Sequence, residues 1–250
     1  MNLSDARVLI TGAGAGLGKE IACSLKAGGA EVHALELNAE TAAALEVETS
    51  GGIRCWQCDV ASPPSVAEVL GQVFASGFSP NVLINNAGII HSEPLVNLLA
   101  RGERTHSLDS WRRVITTDLE SVFVVTSRVV DHMLMKRTKG VVISISSVAA
   151  RGNPGQSAYS AAKAGVNALT QSWAKELGPM GMRFVSIAPG FIDTSSTRSA
   201  LSEATLDRLR QSSSLKKLGT ASQVATSVRY AIENDYVTGT VLEVDGGLVL

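Results

Sequence analysis

Cysteine is scarce in this sequence, with three residues among 250, and an odd number cannot be paired completely. A disulfide framework is therefore not expected. Cys55 and Cys58 have the spacing of a redox or zinc motif, but they lie in a strand pattern rather than at a helix N-terminus, where a thiolate would be stabilised. No second cysteine pair completes a set of zinc ligands. The four histidines have no ligand spacing either, so the sequence predicts no metal site.

Net charge and long apolar runs are also lacking. The 22 basic and 23 acidic residues give a formal net charge of -1, and no long run of like charge favours nucleic acid or an anionic membrane. No apolar stretch reaches the roughly 18 residues that span a bilayer, and the first residues lack the pattern of a signal peptide. We therefore expect a cytoplasmic protein whose partner is a small molecule, with no nucleic acid and no membrane as partner.

Hydrophobic residues make up 45% of the chain, which is enough for a substantial core, and no break marks a second domain. We therefore expect a single domain over residues 1–250. Strand patterns lie at residues 7–10, 31–37, 53–58, 82–85, 140–145, 182–188 and 240–244. Helix patterns lie at residues 16–27, 39–48, 65–75, 107–136, 157–177, 202–213 and 221–233. Their alternation predicts an α/β, doubly wound fold, with a parallel seven-stranded sheet and helices on both faces.

Closely spaced glycines follow the first strand pattern, and a helix pattern begins among them at Gly16. Glycine lets the backbone approach a diphosphate, and a helix N-terminus offers unpaired N–H groups and a favourable dipole to the anion. A glycine-rich turn alone is weak evidence, but the order of strand, turn and helix is the one that dinucleotide binding requires. The sequence therefore predicts a Rossmann fold whose ligand lies at the carboxyl ends of the strands.

An acidic residue, Glu36, lies near the end of the second strand pattern. A carboxylate there can accept hydrogen bonds from the ribose hydroxyls of adenosine, and it repels a 2′-phosphate. The nearby positions Ala13, Ala15 and Leu37 carry no cation that could pair with such a phosphate. NAD is therefore the predicted cofactor, although Glu36 could also be only a solvated strand end.

Tyr159 and Lys163 occur four residues apart at the start of a helix pattern, so they lie on the same helix face. An ammonium group beside a phenol stabilises the phenolate, which allows a tyrosine to act as a general acid or base. On spacing alone, such a pair is more often an exposed helix face, so the interpretation depends on the rest of the chain.

The chain resembles the short-chain dehydrogenase/reductase family over nearly its whole length. The resemblance is carried by residues 11–18 (TGAGAGLG), 58–60 (CDV), 85–88 (NNAG), 146–147 (SS), Tyr159 with Lys163, 189–194 (PGFIDT) and 244–247 (VDGG). It implies an NAD(P)-dependent oxidoreductase that moves a hydride between nicotinamide and an alcohol/carbonyl pair. It also implies a homotetramer, with helices near residues 118–136 and 157–177 between subunits. The apolar segment 246–250 would be buried at another interface.

The same resemblance implies roles for individual residues. Tyr159 would exchange the hydroxyl proton, Lys163 would activate Tyr159 and hold the nicotinamide ribose, and Ser147 would orient the substrate oxygen. The residues that would contact the cofactor are Gly12, Gly16, Leu17, Gly18, Glu36, Asp59, Val60, Asn86, Ala87, Gly88, Tyr159, Lys163, Pro189, Gly190, Ile192 and Thr194.

Two of the catalytic positions depart from the family pattern. The usual spacing back from the tyrosine points to Ser146, whereas the register of the strand that begins at Gly140 points to Ser147. We prefer Ser147, because a loop changes length more freely than a paired strand changes register. Asp118 stands where the family has an asparagine that belongs to a water-linked proton relay. We therefore predict that Asp118 is coupled to Lys163 through water.

The segment 89–108 is longer than usual and carries Arg101 and Arg104. We interpret it as a surface insertion, with a lid or a contact for an anionic substrate as the alternative. The polar segment 195–215 favours a small or medium polar metabolite, such as a sugar, polyol or hydroxy acid. A catalytically impaired NAD-binding regulatory protein is the alternative that Asp118 suggests. Enoyl reductases share the fold, but they space the tyrosine and lysine more widely.

Overall fold

A computed structural model describes residues 1–194, 197–198 and 202–248. The strands are β1 Arg7–Thr11, β2 Glu31–Glu36, β3 Ile53–Gln57, β4 Val82–Asn85, β5 Gly140–Ile145, β6 Met182–Pro189, β7 Ile192–Asp193, β8 Gly219–Thr220 and β9 Thr240–Val244. The helices are α1 Gly16–Ala27, α2 Ala39–Glu48, α3 Pro63–Ala75, α4 Leu108–Ile115, α5 Ser121–Met135, α6 Ser157–Leu177, α7 Glu203–Ser212 and α8 Ala221–Glu233. Each predicted strand and helix is present, with ends that agree to within two residues.

Seven of the strands form one parallel sheet in the order β3-β2-β1-β4-β5-β6-β9, which confirms the predicted fold class. The chain proceeds outward from β1 through β2 to β3, then returns to β4 on the other side of β1. Connections on the two sides of β1 therefore diverge, and a crevice forms at the carboxyl ends of β1 and β4. This crevice is where a ligand of such a sheet is expected.

Two hydrophobic clusters cover the two faces of the sheet. Val8 and Ile10 of β1 pack in the cluster that includes α1 and α8, whereas Leu9 packs in the cluster that includes α3 and α5. This division follows from the geometry of a strand, whose successive side chains point to opposite faces. Strands that are covered on both faces contain continuous apolar runs, as in the fully buried β5.

Several helices begin at capping residues that fix their start. Asn38 accepts hydrogen bonds from the backbone N–H groups of Glu40 and Thr41 at the start of α2. Thr220 and Gln223 form a reciprocal capping box at the start of α8. These caps satisfy N–H groups that a helix leaves unpaired, so they fix the residue at which each helix begins.

The predicted helix over residues 107–136 is interrupted in the structure. A π-helical turn, Thr116–Glu120, separates α4 from α5. Such turns insert one residue into a helix and occur frequently at functional sites. The sequence pattern did not indicate the interruption, because the apolar positions continue through it.

The C-terminal end differs in part from its prediction. Leu248 is buried within its own chain, where it forms an antiparallel bridge with Ser213. This residue is therefore not available as an apolar contact for another subunit, and Val249 and Leu250 lie outside the described residues. The parallel pair β7–β8 nearby was not predicted. Among the described residues, no helix is both long and apolar enough to cross a membrane.

Candidate active site

A cleft of about 1060 Å³ opens at the carboxyl ends of the strands. Its wall contains the catalytic and cofactor residues predicted from the sequence, with the exception of Gly16, which begins α1 instead. Residues on the wall that sequence reasoning did not single out include Arg113, Thr117, Asn153 and Gln156. Arg113 lies on α4, Thr117 lies in the π-helical turn, and Asn153 and Gln156 lie in the loop before α6.

The glycine-rich turn lies at one end of this cleft. Gly12 has φ +67°, and a Cβ atom there would lie 2.9 Å from the Cα of Ala87, so glycine is required. The N-cap of α1 is Ala15, whose side chain makes no capping hydrogen bond. The N–H groups of the first helical turn therefore have no side-chain cap and suit a bound anion such as a diphosphate.

Glu36 ends β2 beside this turn. Its Oε2 accepts a hydrogen bond of 2.7 Å from the N–H of Gly14, and its Oε1 accepts one of 3.3 Å from the N–H of Asn38. These two bonds hold the carboxylate against the glycine-rich turn. The neighbouring Leu37 also lines the cleft and is exposed, so this end of the wall presents a carboxylate and an apolar side chain.

The ends of β3 and β4 supply the middle of the wall. The side-chain amide of Asn86 donates to the carbonyl of Gly12 at 2.8 Å, and thereby ties β4 to the glycine-rich turn. Asp59 and Val60 follow β3, and the Oδ1 of Asp59 accepts from the N–H of Ala61 at 2.9 Å. Asn86 therefore stabilises the conformation of the glycine-rich turn. Asp59 and Val60 line the part of the cleft where the adenine ring of the cofactor is expected.

Tyr159 and Lys163 lie on α6 at the other end of the cleft. The Lys163 ammonium is 5.6 Å from the centre of the Tyr159 ring. It donates a hydrogen bond of 3.1 Å to the carbonyl of Ile145, and only 5% of its side chain is exposed. A buried ammonium needs such partners because burial without them costs several kcal/mol. The predicted helix face thus becomes a buried lysine beside a half-buried tyrosine, next to the end of β5.

Asp118 supplies the second partner of Lys163 from the π-helical turn. Its Oδ2 lies 3.2 Å from the lysine Nζ, and its Oδ1 accepts a hydrogen bond of 2.8 Å from the N–H of Ile89. The sequence predicted a link through water, whereas the two charged groups are in direct contact in the structure. A Cβ atom on Gly88 would lie 2.8 Å from Oδ2, so the approach of this chain segment requires glycine.

The side chain of Asp118 is fully buried, and this changes its protonation equilibrium. Burial raises the pKa of the carboxyl group above its usual value, while the Lys163 cation and the hydrogen bond from Ile89 act in the opposite direction. The acid is therefore coupled to the lysine in a site that holds little water.

Ser146 and Ser147 both lie on the wall but differ in their contacts. Ser146 is buried, and its hydroxyl donates to the carbonyl of Lys163 at 3.2 Å. Ser147 caps the short 3₁₀ turn Val148–Arg151, and its oxygen accepts a hydrogen bond of 3.1 Å from the N–H of Ala149. A hydroxyl that accepts from the backbone keeps its proton for a substrate oxygen.

The segment after β6 closes the wall opposite the glycine-rich turn. The N–H of Gly190 donates to the carbonyl of Val244 at 3.0 Å, which ties this segment to β9. The hydroxyls of Thr194 and Thr197 lie 2.9 Å apart. Pro189, Gly190, Ile192 and Thr194, which the family resemblance gives as cofactor contacts, all line the cleft.

The arginines that the structure describes in the segments 89–108 and 195–215 do not line the cleft. Arg101 and Arg104 of the insertion are exposed and do not line the cleft, whereas Ile89 and Ile90 do. Arg198 forms an ion pair with Asp193, at 2.6 Å. Part of the segment 195–215, namely residues 195, 196 and 199–201, lies outside the described residues.

The thiols of Cys55 and Cys58 are not activated as nucleophiles or metal ligands. Burial, followed by the nearby Glu46 and Glu36, raises the pKa of the Cys55 thiol to about 11. Burial also raises the pKa of Cys58. Both residues are free thiols at the end of β3, and the protonated form of a thiol is neither a good nucleophile nor a metal ligand.

A phenol that can exchange a proton, beside a buried ammonium and within a cleft that fits a dinucleotide, defines a class of enzyme. This class is the NAD(P)-dependent oxidoreductases that act on CH–OH groups. Comparisons with known proteins identify the family within the class.

The family model described as enoyl-(acyl carrier protein) reductase matches residues 12–249. The (3R)-3-hydroxyacyl-CoA dehydrogenase of Rattus norvegicus is 34% identical over 264 residues, which cover 100% of this chain and 98% of the relative. The 3-oxoacyl-[acyl-carrier-protein] reductases FabG of Thermotoga maritima and Escherichia coli are each 34% identical, with 100% of both chains covered. The chain therefore belongs to the short-chain dehydrogenase/reductase family.

A solved structure gives the same fold. A proposed gluconate dehydrogenase from Agrobacterium tumefaciens superposes with a TM-score of 0.91, and the match covers 100% of this chain and 98% of that chain. The two sequences are 24% identical, so the similarity supports the fold and carries no statement about the substrate.

Proposed function

We propose that this protein is an NAD-dependent oxidoreductase that interconverts the 3-hydroxyacyl and 3-oxoacyl forms of a thioester substrate. The observation that carries the proposal is the arrangement of Ser147, Tyr159 and Lys163 at one end of a cleft whose other end holds Glu36. The first three residues suit the chemistry of a hydroxyl group, and the carboxylate suits the cofactor.

Each catalytic residue has a defined task in this proposal. In the oxidation direction Tyr159 accepts the proton of the substrate hydroxyl, and in reduction it returns a proton to the carbonyl oxygen. Lys163 stabilises the phenolate form through its positive charge. Ser147 donates a hydrogen bond to the substrate oxygen and thereby orients it. When bound, the nicotinamide supplies or accepts the hydride.

The preference for NAD over NADP depends on Glu36. Its carboxylate is fixed at the glycine-rich turn by the N–H groups of Gly14 and Asn38. In that position it is suited to accept hydrogen bonds from the ribose hydroxyls, and it would repel a 2′-phosphate. The exposed neighbour Leu37 provides no positive charge that would offset this repulsion.

An acyl substrate is favoured by the composition of the wall near the catalytic residues. This part of the wall carries apolar side chains, which are Ile89, Ile90, Val148, Ala149 and Phe191. An acyl chain would bury its methylene groups against these apolar side chains. The names of the curated relatives, which act on 3-hydroxyacyl and 3-oxoacyl compounds, support the same substrate class.

The sequence alone favoured a more polar metabolite, such as a sugar, polyol or hydroxy acid. That expectation came from the segment 195–215, in which Arg198 and Arg210 are paired with acidic side chains. An arginine that is already paired with a carboxylate is less available to an anionic substrate. The choice of substrate class in this proposal therefore rests on the apolar side chains of the cleft wall. A single domain, a cytoplasmic location and a homotetramer belong to the proposal as expectations from the sequence.

Turnover with a panel of substrates tests the proposal. We expect the purified chain to oxidise 3-hydroxybutyryl-CoA with NAD at a kcat/KM at least about tenfold above that for the oxidation of any sugar, polyol or simple hydroxy acid. A larger value for a polar metabolite would overturn the acyl assignment and favour the polar one. Reduction of crotonyl-CoA instead would identify an enoyl reductase. NADH binding without turnover on any substrate would favour the impaired regulatory protein.

A further inference from the structure

Two histidines and a glutamate of the insertion lie close together in the structure. His91 and Glu93 are neighbours in the sequence, whereas His106 follows Glu93 by 13 residues. The insertion folds back on itself, with an antiparallel bridge between Val96 and Thr105 and a hydrogen bond from the N–H of His106 to the carbonyl of Leu95. This fold brings His106 next to His91 and Glu93. Their ligand atoms, two imidazole nitrogens and a carboxylate oxygen, lie within 4.8 Å of one another.

The His106 ring is held in a specific tautomer. Its side chain is only 8% exposed, and its Nδ1 lies 3.1 Å from the backbone carbonyl of Glu93. A carbonyl oxygen can only accept a hydrogen bond, so Nδ1 carries the hydrogen, and the neutral ring then has its lone pair on Nε2. This Nε2 is buried and has no hydrogen-bond partner among the described residues. Buried polar atoms without a partner are uncommon and need an explanation.

Glu93 presents its carboxylate to both imidazoles. Its Oε2 lies 2.9 Å from the Nε2 of His91 and 3.9 Å from the Nε2 of His106. Its other oxygen, Oε1, accepts a hydrogen bond of 2.9 Å from the N–H of Ser107. The backbone contacts on Glu93 Oε1 and on His106 Nδ1 orient these ligand groups, as outer contacts do in established metal sites. The lone pair of His106 Nε2 and the carboxylate oxygen of Glu93 repel each other, and a cation between them would remove this repulsion.

We propose that His91, Glu93 and His106 bind a divalent transition metal ion of the zinc class. Two imidazole nitrogens and one carboxylate oxygen are a ligand set that Zn²⁺ uses, with water in the fourth position. Mg²⁺ and Ca²⁺ prefer oxygen ligands throughout, so the two nitrogens select against them. Zn–N bonds of about 2.0 Å would require the three ligand atoms, which lie within 4.8 Å of one another, to close in on the ion.

The site would act on the rim of the cleft. The backbone N–H of Glu93 donates a hydrogen bond of 2.7 Å to the carbonyl of Gly155. The side-chain amide of Gln156 donates one of 3.1 Å to the hydroxyl of Ser92. Gln156 lines the cleft and directly precedes α6, which carries Tyr159. A metal ion at His91, Glu93 and His106 would therefore tie the insertion to the substrate side of the active site. Its role is structural and does not depend on the proposed reaction.

Titration of the full chain with metal ions tests the proposal. After removal of metal with EDTA and dialysis, we expect one equivalent of Zn²⁺ per chain to bind in competition with a chromophoric chelator. Binding should raise the thermal midpoint of unfolding. Co²⁺ in place of Zn²⁺ should give the visible d–d absorption of a nitrogen and oxygen site, without the intense charge-transfer absorption of a thiolate ligand.

Single substitutions identify the side chains that bind the metal ion. His91→Gln and His106→Gln should each lower the affinity for Zn²⁺ by at least about tenfold. His132→Gln removes an imidazole that lies on α5 beside Ser79 and Phe74, and it should bind Zn²⁺ like the wild type. The double variant Cys55→Ser/Cys58→Ser should also retain the site.

Three outcomes would overturn the proposal. The wild type could fail to bind stoichiometric Zn²⁺ at micromolar concentration, which would mean that a shared proton, rather than a metal ion, lies between the imidazoles and the carboxylate. The Co²⁺ spectrum could show thiolate ligands, a result that needs no variant and is therefore independent of whether the variants fold. Finally, the affinity could be unchanged in His91→Gln and His106→Gln and lost in the cysteine variant.

Discussion

The ammonium of Lys163 lies 3.2 Å from the carboxylate of Asp118, and both side chains are at least 95% buried. Lys163 is also the cation beside Tyr159, so a change at Asp118 reaches the phenol through the lysine. The structure therefore connects a π-helical turn of one helix to the acid/base residue of another.

Asp118→Asn should change the pH profile of catalysis. An ionised Asp118 offsets part of the positive charge that stabilises the Tyr159 phenolate, so its replacement by a neutral amide makes the phenolate easier to form. We expect the alkaline rise of kcat/KM for alcohol oxidation to move to lower pH. Profiles of the two proteins measured side by side provide the comparison.

A structural role for Asp118 predicts a different result. If the residue matters only through its place in the π-helical turn, the midpoint of the profile stays where it is in the wild type. Asparagine can still accept the hydrogen bond from Ile89, so the fold should survive, although an unpaired buried ammonium is destabilising by a few kcal/mol. A thermal melt of Asp118→Asn therefore accompanies the kinetics.

Tyr159→Phe should lower kcat by about 10² to 10⁴ while NAD binding changes little, because the ring remains and only the transferable proton is lost. Isothermal titration with NAD and steady-state kinetics measure the two effects separately. Substantial residual activity would exclude Tyr159 as the acid/base. Tyr230→Phe, on the exposed side of α8, is the matched control and should leave both quantities unchanged.

The two adjacent serines offer an internal comparison. Ser147→Ala should lower kcat/KM by about 10² because the donor to the substrate oxygen is lost. Ser146→Ala removes a buried hydrogen bond to the backbone of Lys163, so we expect a loss of about 1 kcal/mol in stability and a smaller effect on catalysis. If Ser146→Ala is the more impaired enzyme, the assignment of the serine must be reversed.

The double substitution Glu36→Ala/Leu37→Arg should shift the ratio of kcat/KM for NADP and NAD toward NADP by at least about tenfold. It removes the carboxylate that opposes a 2′-phosphate and adds a cation that can pair with one. Glu40→Ala, on the exposed side of α2, serves as the control for a change of charge alone. A wild type that already uses both cofactors equally well would contradict the role given to Glu36.

His33 should make the protein less stable in acid. Burial and the nearby Arg54 lower the pKa of His33 to about 4, and its ring stacks on Phe78 and accepts a hydrogen bond from Trp56. Between about pH 6.5 and pH 4 the unfolded chain binds a proton at this site that the folded chain does not. The free energy of unfolding should therefore fall as the pH is lowered through this range, by on the order of 2 kcal/mol.

Urea denaturation at a series of pH values measures this dependence. Other groups also titrate in the same range, so the informative quantity is the difference between the wild type and His33→Gln. That difference should change with pH between about 6.5 and 4 and be constant above. A constant difference throughout would show that His33 does not carry the effect.

Regular features of the fold were predictable from the sequence because they leave periodic patterns. The central strands of the large sheet are rich in apolar, β-branched residues, and the glycine-rich turn lies where a strand meets a helix. Tyr159 and Lys163 were identified from their spacing on one helix face together with the resemblance of the whole chain to the family. These features depend on residues that are close together in the chain.

Features that depend on contacts between distant segments were not predictable. The π-helical turn Thr116–Glu120 lies within a continuous helical pattern, and the direct contact of Asp118 with Lys163 follows from its geometry. Likewise, His106 meets His91 and Glu93 only because the insertion folds back between them. No spacing rule for metal ligands anticipates a loop of this shape.

The π-helical turn also fixes the phase of the helix that follows it. If the same residues wound as an ordinary α-helix, without the wider π-helical turn, α5 would be rotated by about 100° relative to α4. Val122, Val125 and Val129, which are now buried, would then turn away from the core. The winding of this turn is therefore constrained twice over, by the carboxylate that it carries to Lys163 and by the apolar side of a helix that takes no part in the chemistry.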